Sequence, residues 1–122
     1  MTIEWYDNAA NGRPAFISTD RLNRMHISSG TRAMLGVEEG KAISLYVGYD
    51  ATTKQIAVIR TDAVKLKKIP MRFDGNRYYA PAGGFLERHQ LPRKVATRYR
   101  FAGKDEKSGA FLFQLDDQTP DE

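Results

Sequence analysis

The sequence predicts a mainly β protein with short helices, arranged as a pseudo-twofold β-barrel of two ββαββ-type repeats in one chain. Short runs of alternating apolar and polar residues are bounded by Gly, Pro, Asn and Asp, a pattern typical of strands and turns. Only two short stretches favour helix, and the same order of elements occurs twice. We expect a single compact domain over residues 1–122, with a first repeat unit at 14–61, a second at 69–115 and a disordered acidic tail at 116–122.

The first repeat is predicted to begin with two short strands and a helix. Residues 14–19, PAFIST, are rich in β-branched and aromatic side chains, and residues 24–28, RMHIS, alternate apolar with polar ones. The following stretch, SSGTRAMLG, fits one or two helical turns. A serine can cap its N-terminus, and Gly36 can supply a left-handed residue at its end.

A β-hairpin is predicted to complete the first repeat. In AISLYVGYD the side chains of Ile43, Leu45, Val47 and Tyr49 fall on one face at a period of two. The polar stretch DATTK turns the chain, and QIAVIR at residues 55–60 returns as the paired strand.

The second repeat is predicted to follow the same order. KIPMRF is extended, the Asp-Gly in FDGN marks a tight turn, and RYYAP is another short strand. AGGFLERHQL favours a short helix that ends before Pro92. AFLFQL is the last strand and follows the turn KDEKSG. In KVATRYRFAG, alternate residues are expected to face the core, namely Val95, Thr97, Tyr99 and Phe101.

The repeat becomes visible when one half of the chain is moved along the other. At an offset of 53 residues, Arg24 coincides with Arg77. One additional residue in the second helix changes the offset to 54, and the final strands are expected to keep it, so that Val58 matches Leu112. Identities are few, and chance agreement between two β-rich halves is the alternative.

Charge is distributed unevenly along the chain, whose formal net charge is +4. Residues 1–64 carry seven basic and seven acidic side chains, whereas residues 65–104 carry eleven basic against two acidic, a net of +9. Residues 105–122 have one lysine against six acids, a net of −5. Clustered Lys and Arg release counterions from phosphates, so the basic segment favours a polyanionic partner. A solvated basic face without a partner is the alternative.

Several classes of protein are not expected. There is no cysteine, which excludes disulfides and thiolate sites. No apolar run approaches the roughly 20 residues of a membrane helix, and the N-terminal stretch has acids and no apolar segment, so we expect a cytoplasmic protein without a signal peptide. His26 and His89 have no acid at ligand spacing. We therefore expect no metal, no cofactor, no catalytic residues and no enzyme.

A set of residues in the first repeat follows the pattern of a known family, Asp-x-Leu-Gly-Arg, alternating apolar residues and a proline, then Arg, Leu-Gly and Ile. Its counterparts here are Asp20, Leu22, Asn23, Arg24, Met25, Ile27, Ser28, Arg32, Leu35, Gly36 and Val37. This pattern resembles that of the AbrB-like swapped-hairpin DNA-binding proteins, which include the SpoVT/AbrB, MazE and MraZ types. A weaker match in the second repeat comprises Asn76, Arg77, Pro81, Leu86 and Leu91.

The match has departures. Asn23 and Asn76 stand where the family has glycine, although Asn tolerates the same left-handed geometry, and Ser28 replaces the proline. Ile17 stands where relatives often carry a basic DNA-contacting residue. In the family, two chains interleave their hairpins. The resemblance therefore implies a swapped-hairpin, AbrB-like barrel formed within this one chain by its two degenerate units.

Eight basic residues are candidates for nucleic-acid binding. The resemblance implies four of them, namely Arg24, Arg32, Arg77 and Arg88. An arginine fork can donate two parallel hydrogen bonds to a phosphate or a guanine. Surface ion pairing is the alternative, for example between Arg32 and Glu38 or Glu39. The other four are expected on the outer face and at the end of one strand, namely Arg93, Lys94, Arg98 and Arg100.

Aromatic residues admit two interpretations. Tyr78 and Tyr79 would suit single-stranded nucleic acid if they were exposed, whereas a core position is the alternative and is expected for Tyr99. Trp5 and Tyr6 lie outside the repeats. They would either cover an open barrel end or form an exposed anchor for a partner.

The sequence thus favours an AbrB-like DNA-binding protein that regulates transcription, as a monomer or a homodimer. The alternative is a protein-binding module of the kind that phages and mobile elements use to inhibit a host nucleic-acid-handling enzyme, with an acidic protein surface as its partner. Non-equivalent halves favour this alternative to a small degree, because a symmetric operator would select two similar faces. An oligomeric scaffold built by hairpin exchange is a third hypothesis, for which the charge asymmetry has no use.

Overall fold

The computed structural model describes residues 14–74 and 77–116. The predictions for Trp5, Tyr6, Asn76 and the tail from residue 117 onward lie outside these described residues. The strands are β1 (Phe16–Thr19), β2 (Arg24–Ile27), β3 (Ile43–Asp50), β4 (Gln55–Arg60), β5 (Met71–Phe73), β6 (Tyr79–Pro81), β7 (Thr97–Lys104) and β8 (Phe111–Leu115). The helices are α1 (Ser29–Leu35) and α2 (Gly83–Arg88).

The strands form one antiparallel sheet in the order β5–β3–β4–β8–β7–β1–β2–β6. Its two edge strands approach each other where backbone hydrogen bonds join Asp74 and Tyr79. The result is a mainly β fold with a nearly closed antiparallel barrel of eight strands. The predicted order of strands and helices in both halves is confirmed.

Strand pairing follows the same scheme in both halves of the chain. If β1 to β4 are exchanged in order for β5 to β8, the pairings of β4 with β8 and of β2 with β6 are unchanged, and every other pairing in the barrel becomes another observed pairing. The registers also agree, since Leu45 of β3 lies opposite Met71 of β5, and Tyr99 of β7 lies opposite Ile17 of β1. The second hairpin of each half therefore lies between strands of the other half.

Left-handed backbone recurs at matching places in the two halves. Each residue of the first half with a positive φ has a counterpart among the described residues 54 or 55 positions later. These pairs are Asn23 (58°) with Tyr78 (50°), Gly36 (72°) with Gln90 (56°), Gly40 (81°) with Lys94 (61°), and Lys54 (59°) with Gly109 (82°). Residues other than glycine rarely adopt this conformation, so the agreement is a geometric likeness that does not depend on sequence identity.

Helix α1 forms where the sequence predicts it. The Ser28 hydroxyl oxygen accepts a hydrogen bond from the Thr31 N–H at 3.2 Å, and the left-handed Gly36 ends the helix by donating its N–H to the Ala33 carbonyl. Helix α2 follows Ala82, whose methyl side chain cannot accept a capping hydrogen bond. Neither of these helices combines the length and apolar character that crossing a bilayer requires.

The core consists of alternate strand residues that fill the barrel. Its largest fully buried apolar side chains are Tyr99, Phe73, Phe113, Ile17, Met25, Ile27, Leu45, Ile56, Leu86 and Val58. The expected burial of Tyr99 is thus confirmed. The expected burial of Val95 and Phe101 is wrong, because these side chains are 50% and 38% exposed. Strand β7 begins only at Thr97, after Val95, and a bulge next to Phe101 interrupts the inward and outward alternation.

Candidate nucleic-acid interface

The outer surface of β7, β1, β2 and β6 carries the densest group of predicted binding residues. Ile17, Met25, Ala80 and Tyr99 of these strands face the core, so their neighbours in each strand point outward. We call the outward residues the basic face, and its members are Phe16, Ser18, Arg24, His26, Tyr79, Arg98 and Arg100.

Strand register aligns several members of the basic face in one row. Arg98 lies opposite Ser18, Ser18 opposite His26, and His26 opposite Tyr79. Directly opposed residues of antiparallel strands lie on the same side of the sheet with their Cβ atoms about 5 Å apart. The row therefore crosses four strands, a width of about 15 Å. A second pair, Phe16 and Arg100, lies beside it.

Two arginines of the basic face stack on aromatic rings. The guanidinium carbon of Arg98 lies 4.0 Å from the centre of the Phe16 ring, and that of Arg24 lies 4.7 Å from the centre of the Tyr79 ring. The rings of His26 and Tyr79 are 5.4 Å apart. These distances are those of cation–π contacts, which attract each guanidinium group to its ring.

Asp20, in the turn between β1 and β2, organises one end of the basic face. Its Oδ2 atom accepts hydrogen bonds from Arg24 Nε at 2.9 Å and Nη2 at 2.8 Å, and it lies 2.9 Å from His26 Nε2. Its Oδ1 atom accepts from the backbone N–H groups of Leu22 and Arg24. Burial alone would raise the pKa of Asp20, but the hydrogen bonds from His26, Arg24 and Leu22 hold it well below its usual range. The carboxylate therefore stays ionised and fixes the direction of the Arg24 side chain.

An open groove of about 970 Å³ connects the basic face with the turn before β6. Arg24, Arg77 and Arg98 all line it, so the structure brings together three of the eight candidate residues, and Arg100 lies on the adjoining surface. Within the described part of the chain, no carboxylate forms an ion pair with Arg77, Arg98 or Arg100. Among the described residues, the carboxylates that line the same groove are those of Asp20 and Asp116.

Arg32 does not belong to this group. Its Nη1 atom donates to the Ile27 carbonyl at 2.9 Å, and its guanidinium carbon lies 4.4 Å from the centre of the Tyr78 ring. The side chain is thus engaged in joining α1 to the turn before β6. Among the described residues it also lacks the ion pair with Glu38 or Glu39 that is its alternative role.

Arg88, Arg93 and Lys94 lie apart from the strand residues. Arg88 ends α2, Arg93 is 3.8 Å from the Glu87 carboxylate, and the Lys94 N–H donates to Asn23 Oδ1 at 2.7 Å. The prediction that Arg93 and Lys94 occupy the strand is wrong, because β7 begins at Thr97. The positive φ of Lys94, 61°, instead turns the chain toward the strand.

Strand pairing also corrects the presumed equivalence of arginines in the two halves. The Asp20 N–H donates to the Arg24 carbonyl just as the Asp74 N–H donates to the Tyr79 carbonyl, so Tyr79 and not Arg77 occupies the place that matches Arg24. In the helices, the Arg32 N–H donates to the Ser28 carbonyl, just as the Leu86 N–H donates to the Ala82 carbonyl. Leu86 and not Arg88 therefore matches Arg32.

Phe16, Ser18, His26 and the carboxylate of Asp20 were not predicted as members of the site. Alternation in PAFIST and RMHIS places the first three opposite the apolar side of their strands. Asp is a typical first residue of an Asx-turn, in which its carboxylate accepts a hydrogen bond from the N–H two residues later. Here the donor is the Leu22 N–H. These residues lie close to Arg98 because β1 pairs with β7. That pairing joins segments far apart in the chain and cannot be predicted from either segment alone.

No family model, no curated protein and no solved structure matches the chain. Over residues 14–74 and 77–116, no three His, Asp or Glu side chains are grouped so that they could hold a metal ion.

Proposed function

We propose that the protein binds DNA through the basic face and regulates transcription in the cytoplasm, as two tandem AbrB-like swapped-hairpin units. The observation that carries the proposal is the position of Arg98 and Arg100 beside the groove that Arg24 and Arg77 line. Arg24 is held by Asp20, whereas Arg77, Arg98 and Arg100 form no ion pair among the described residues. Guanidinium groups placed on one surface in this way match the spaced phosphates of a nucleic-acid backbone.

Two features of the backbone support the tandem architecture. Strand pairing is unchanged when the two halves are exchanged, and left-handed residues recur at matching places. The placement of each second hairpin between strands of the other half agrees with the interleaving that the resemblance implies. Two units in one chain bury together what a single unit of this size leaves exposed.

The proposal is tested by the salt dependence of binding to a duplex. Phosphate contacts from Arg77, Arg98 and Arg100 predict that the logarithm of the association constant falls with the logarithm of salt concentration at a slope of about −3. Fluorescence anisotropy with a labelled random duplex of about 20 base pairs, between about 50 and 300 mM KCl, measures this slope. Absence of duplex binding at the lowest salt concentration would refute the proposal.

Single substitutions assign the contacts. Arg77→Ala and Arg100→Ala should each weaken binding to all sequences and make the slope shallower by about 1. Arg72→Ala is the matched control, because Arg72 of β5 is exposed, is paired with Asp74 at 3.2 Å and lies outside the basic face. Its slope should equal that of the unmodified protein.

A second candidate function is inhibition of a host nucleic-acid-handling enzyme by a phage or mobile-element protein. One observation favours it: β3 carries Ser44 and Tyr46 at the places where β7 carries Arg98 and Arg100. An acidic protein surface needs only one basic face, whereas a palindromic operator is matched by two. This function predicts negligible duplex affinity, together with one host protein that the unmodified chain captures and the Arg98→Glu, Arg100→Glu variant does not.

A further inference from the structure

We infer that the basic face prefers unpaired nucleic acid, whose bases stack on the Arg98–Phe16 and Arg24–Tyr79 pairs. The inference rests on the proposed function and specifies its substrate class. Single strands offer the flat faces of their bases as well as their phosphates, whereas a duplex keeps its bases stacked on one another.

Each arginine–aromatic pair can serve as a stacking surface. Arg98 is exposed, and 31% of the Arg24 side chain is exposed, so each side chain is at least partly accessible while its guanidinium group contacts a ring. Guanidinium planes and aromatic rings are the two kinds of surface on which proteins stack unpaired bases. The opposed ring stabilises each guanidinium plane in an orientation that a base can meet.

The two pairs are far enough apart to serve different bases of an extended strand. Phe16 is on β1 and Tyr79 is on β6, with β2 between them, and Phe16 is two residues along β1 from Ser18, which is in register with His26 and Tyr79. The two positions are therefore about 12 Å apart. His26 on β2 lies between them and contacts the Tyr79 ring. A sheet surface with aromatic residues on neighbouring strands is a common platform for two or three unpaired bases.

Charge on the neighbouring strands argues against a duplex that spans the barrel. Beyond β6 the surface passes to β5 and β3. These strands present Arg72, already paired with Asp74, and the uncharged Ser44 and Tyr46. A duplex carries two phosphate backbones, of which the second would find no free cation on these two strands, whereas one strand finds Arg98 and Arg77 along the groove.

The test compares single strands of equal charge that differ in their bases, and sets them against a duplex. Oligothymidine of about 20 nucleotides, an abasic strand of the same length and a duplex are titrated at one salt concentration, with oligouridine as the RNA counterpart. Oligothymidine should bind at least about tenfold more tightly than the abasic strand and the duplex. Equal or tighter binding of oligouridine would also support the inference and extend it to RNA, since stacking does not require the 2′-hydroxyl.

Conservative variants separate stacking from charge. Arg98→Lys keeps the positive charge and removes the planar group, so it should weaken oligothymidine binding about tenfold and change duplex binding less than about twofold. Arg72→Lys is the same substitution outside the basic face and should change neither. Because Phe16 is half-buried, Phe16→Leu is used only after its Tm shows that the barrel is intact, and it should lose affinity as Arg98→Lys does.

Failure of the inference is distinguishable from failure of the proposed function. Equal affinity for base-bearing and abasic strands, or tighter binding of the duplex, would overturn the inference and leave duplex DNA binding in place. The inference would also be overturned if Arg98→Lys lost the same affinity for oligothymidine as for the duplex. Absence of affinity for every nucleic acid at low salt would overturn both.

Discussion

The outer surfaces of β7 and β3 differ although the two strands have matching places in the barrel. Each begins the second hairpin of its half and pairs with the first strand of the other half, β7 with β1 and β3 with β5. At the two matching outward positions, β7 has Arg98 and Arg100, whereas β3 has Ser44 and Tyr46. The same backbone framework therefore carries a charged surface on one side only.

The two surfaces also differ in what lies over them. On the β3 side, the connector between the halves passes close enough for the Tyr46 hydroxyl to donate to the Leu66 carbonyl at 3.2 Å. The connector leaves an apolar groove of about 490 Å³, at which Ile69 is 97% exposed. On the β7 side, Arg98 and Arg100 remain exposed. The two halves therefore share a buried core, whereas at the two matching outward positions only β7 carries arginines.

The largest expected effect is on the core that both halves share. Leu45 and Tyr99 occupy matching buried positions in β3 and β7. Leu45→Ala removes a fully buried side chain and leaves a cavity, so the free energy of unfolding should fall by about 2–5 kcal/mol in urea titrations. Leu66→Ala, in the exposed connector, should cost less than about 1 kcal/mol. Similar losses in both variants would mean that β3 does not contribute to a common core.

Reversing the charge of β7 tests whether DNA affinity depends on the two arginines that distinguish β7 from β3. Arg98→Glu with Arg100→Glu should lower DNA affinity at least about 100-fold, because two phosphate contacts become two repulsions. Lys65→Glu with Lys67→Glu changes the net charge by the same amount in the connector and should lower affinity less than about fivefold. Anisotropy titrations of the two double variants measure this. Equal losses would attribute binding to net charge rather than to the basic face.

The two halves also differ at the N-termini of their helices, because only α1 has a side-chain cap. Ser28 Oγ accepts from the Thr31 N–H and also from the Phe16 N–H at 2.9 Å, whereas the matching Ala82 offers no such atom. Ser28→Ala should lower the free energy of unfolding by about 1–2 kcal/mol. Thermal unfolding followed by circular dichroism measures the change. The unchanged stability of this variant would show that α1 depends on its cap no more than α2 does.

The smallest expected effect concerns the hydroxyl of Tyr99, which has no hydrogen-bond partner among the described residues. Burial raises the pKa of Tyr99 from 10.0 to about 12. Since the folded state favours the neutral phenol, its contribution to the free energy of unfolding is fully present below pH 10 and is lost as the pH rises toward 12. Tyr99→Phe should change the free energy of unfolding at pH 7 by at most about 1 kcal/mol.

The alkaline pH profile of the two proteins checks this assignment. The stability of the unmodified protein should fall more steeply between pH 10 and 12 than that of Tyr99→Phe, because the variant has no buried phenol to ionise. Urea titrations at several pH values in this range give both slopes. Parallel profiles would mean that the Tyr99 hydroxyl ionises in the folded protein as easily as in the unfolded chain.

Local structure could be predicted from the sequence because its causes are local. Alternation placed Leu45 and Tyr99 in the core, and the Ser28 and Gly36 signals placed the ends of α1. Register could not be predicted. Val58 pairs with Val47 as Phe113 pairs with Phe101, so Val58 matches Phe113 and not Leu112. The bulge in β7 adds one residue to the second hairpin and displaces its last strand by one position. A displacement of one residue reverses the side of the sheet that each side chain faces.

The site was predictable only in part for the same reason. Arg98 and Arg100 follow from alternation in β7, but the matching of Arg77 with Arg24 was an inference from identity, and the turn before β6 places Arg77 elsewhere. The convergence of Arg24, Arg77 and Arg98 on one groove arises from pairings between residues far apart in sequence. Such pairings depend on the whole barrel, and no single segment specifies them.

The most direct test of the basic face is a map of the surface that a nucleic acid touches. Titration of ¹⁵N-labelled protein with oligothymidine, followed by two-dimensional NMR, reports backbone amides near the ligand. Binding at the basic face should concentrate the shifts in β7, β1, β2 and β6, around Ser18, His26 and Arg98, with small shifts at Ser44 and Tyr46 of β3. Shifts concentrated on β3 and the connector, or equal on both sides of the barrel, would rule out the basic face as the binding surface.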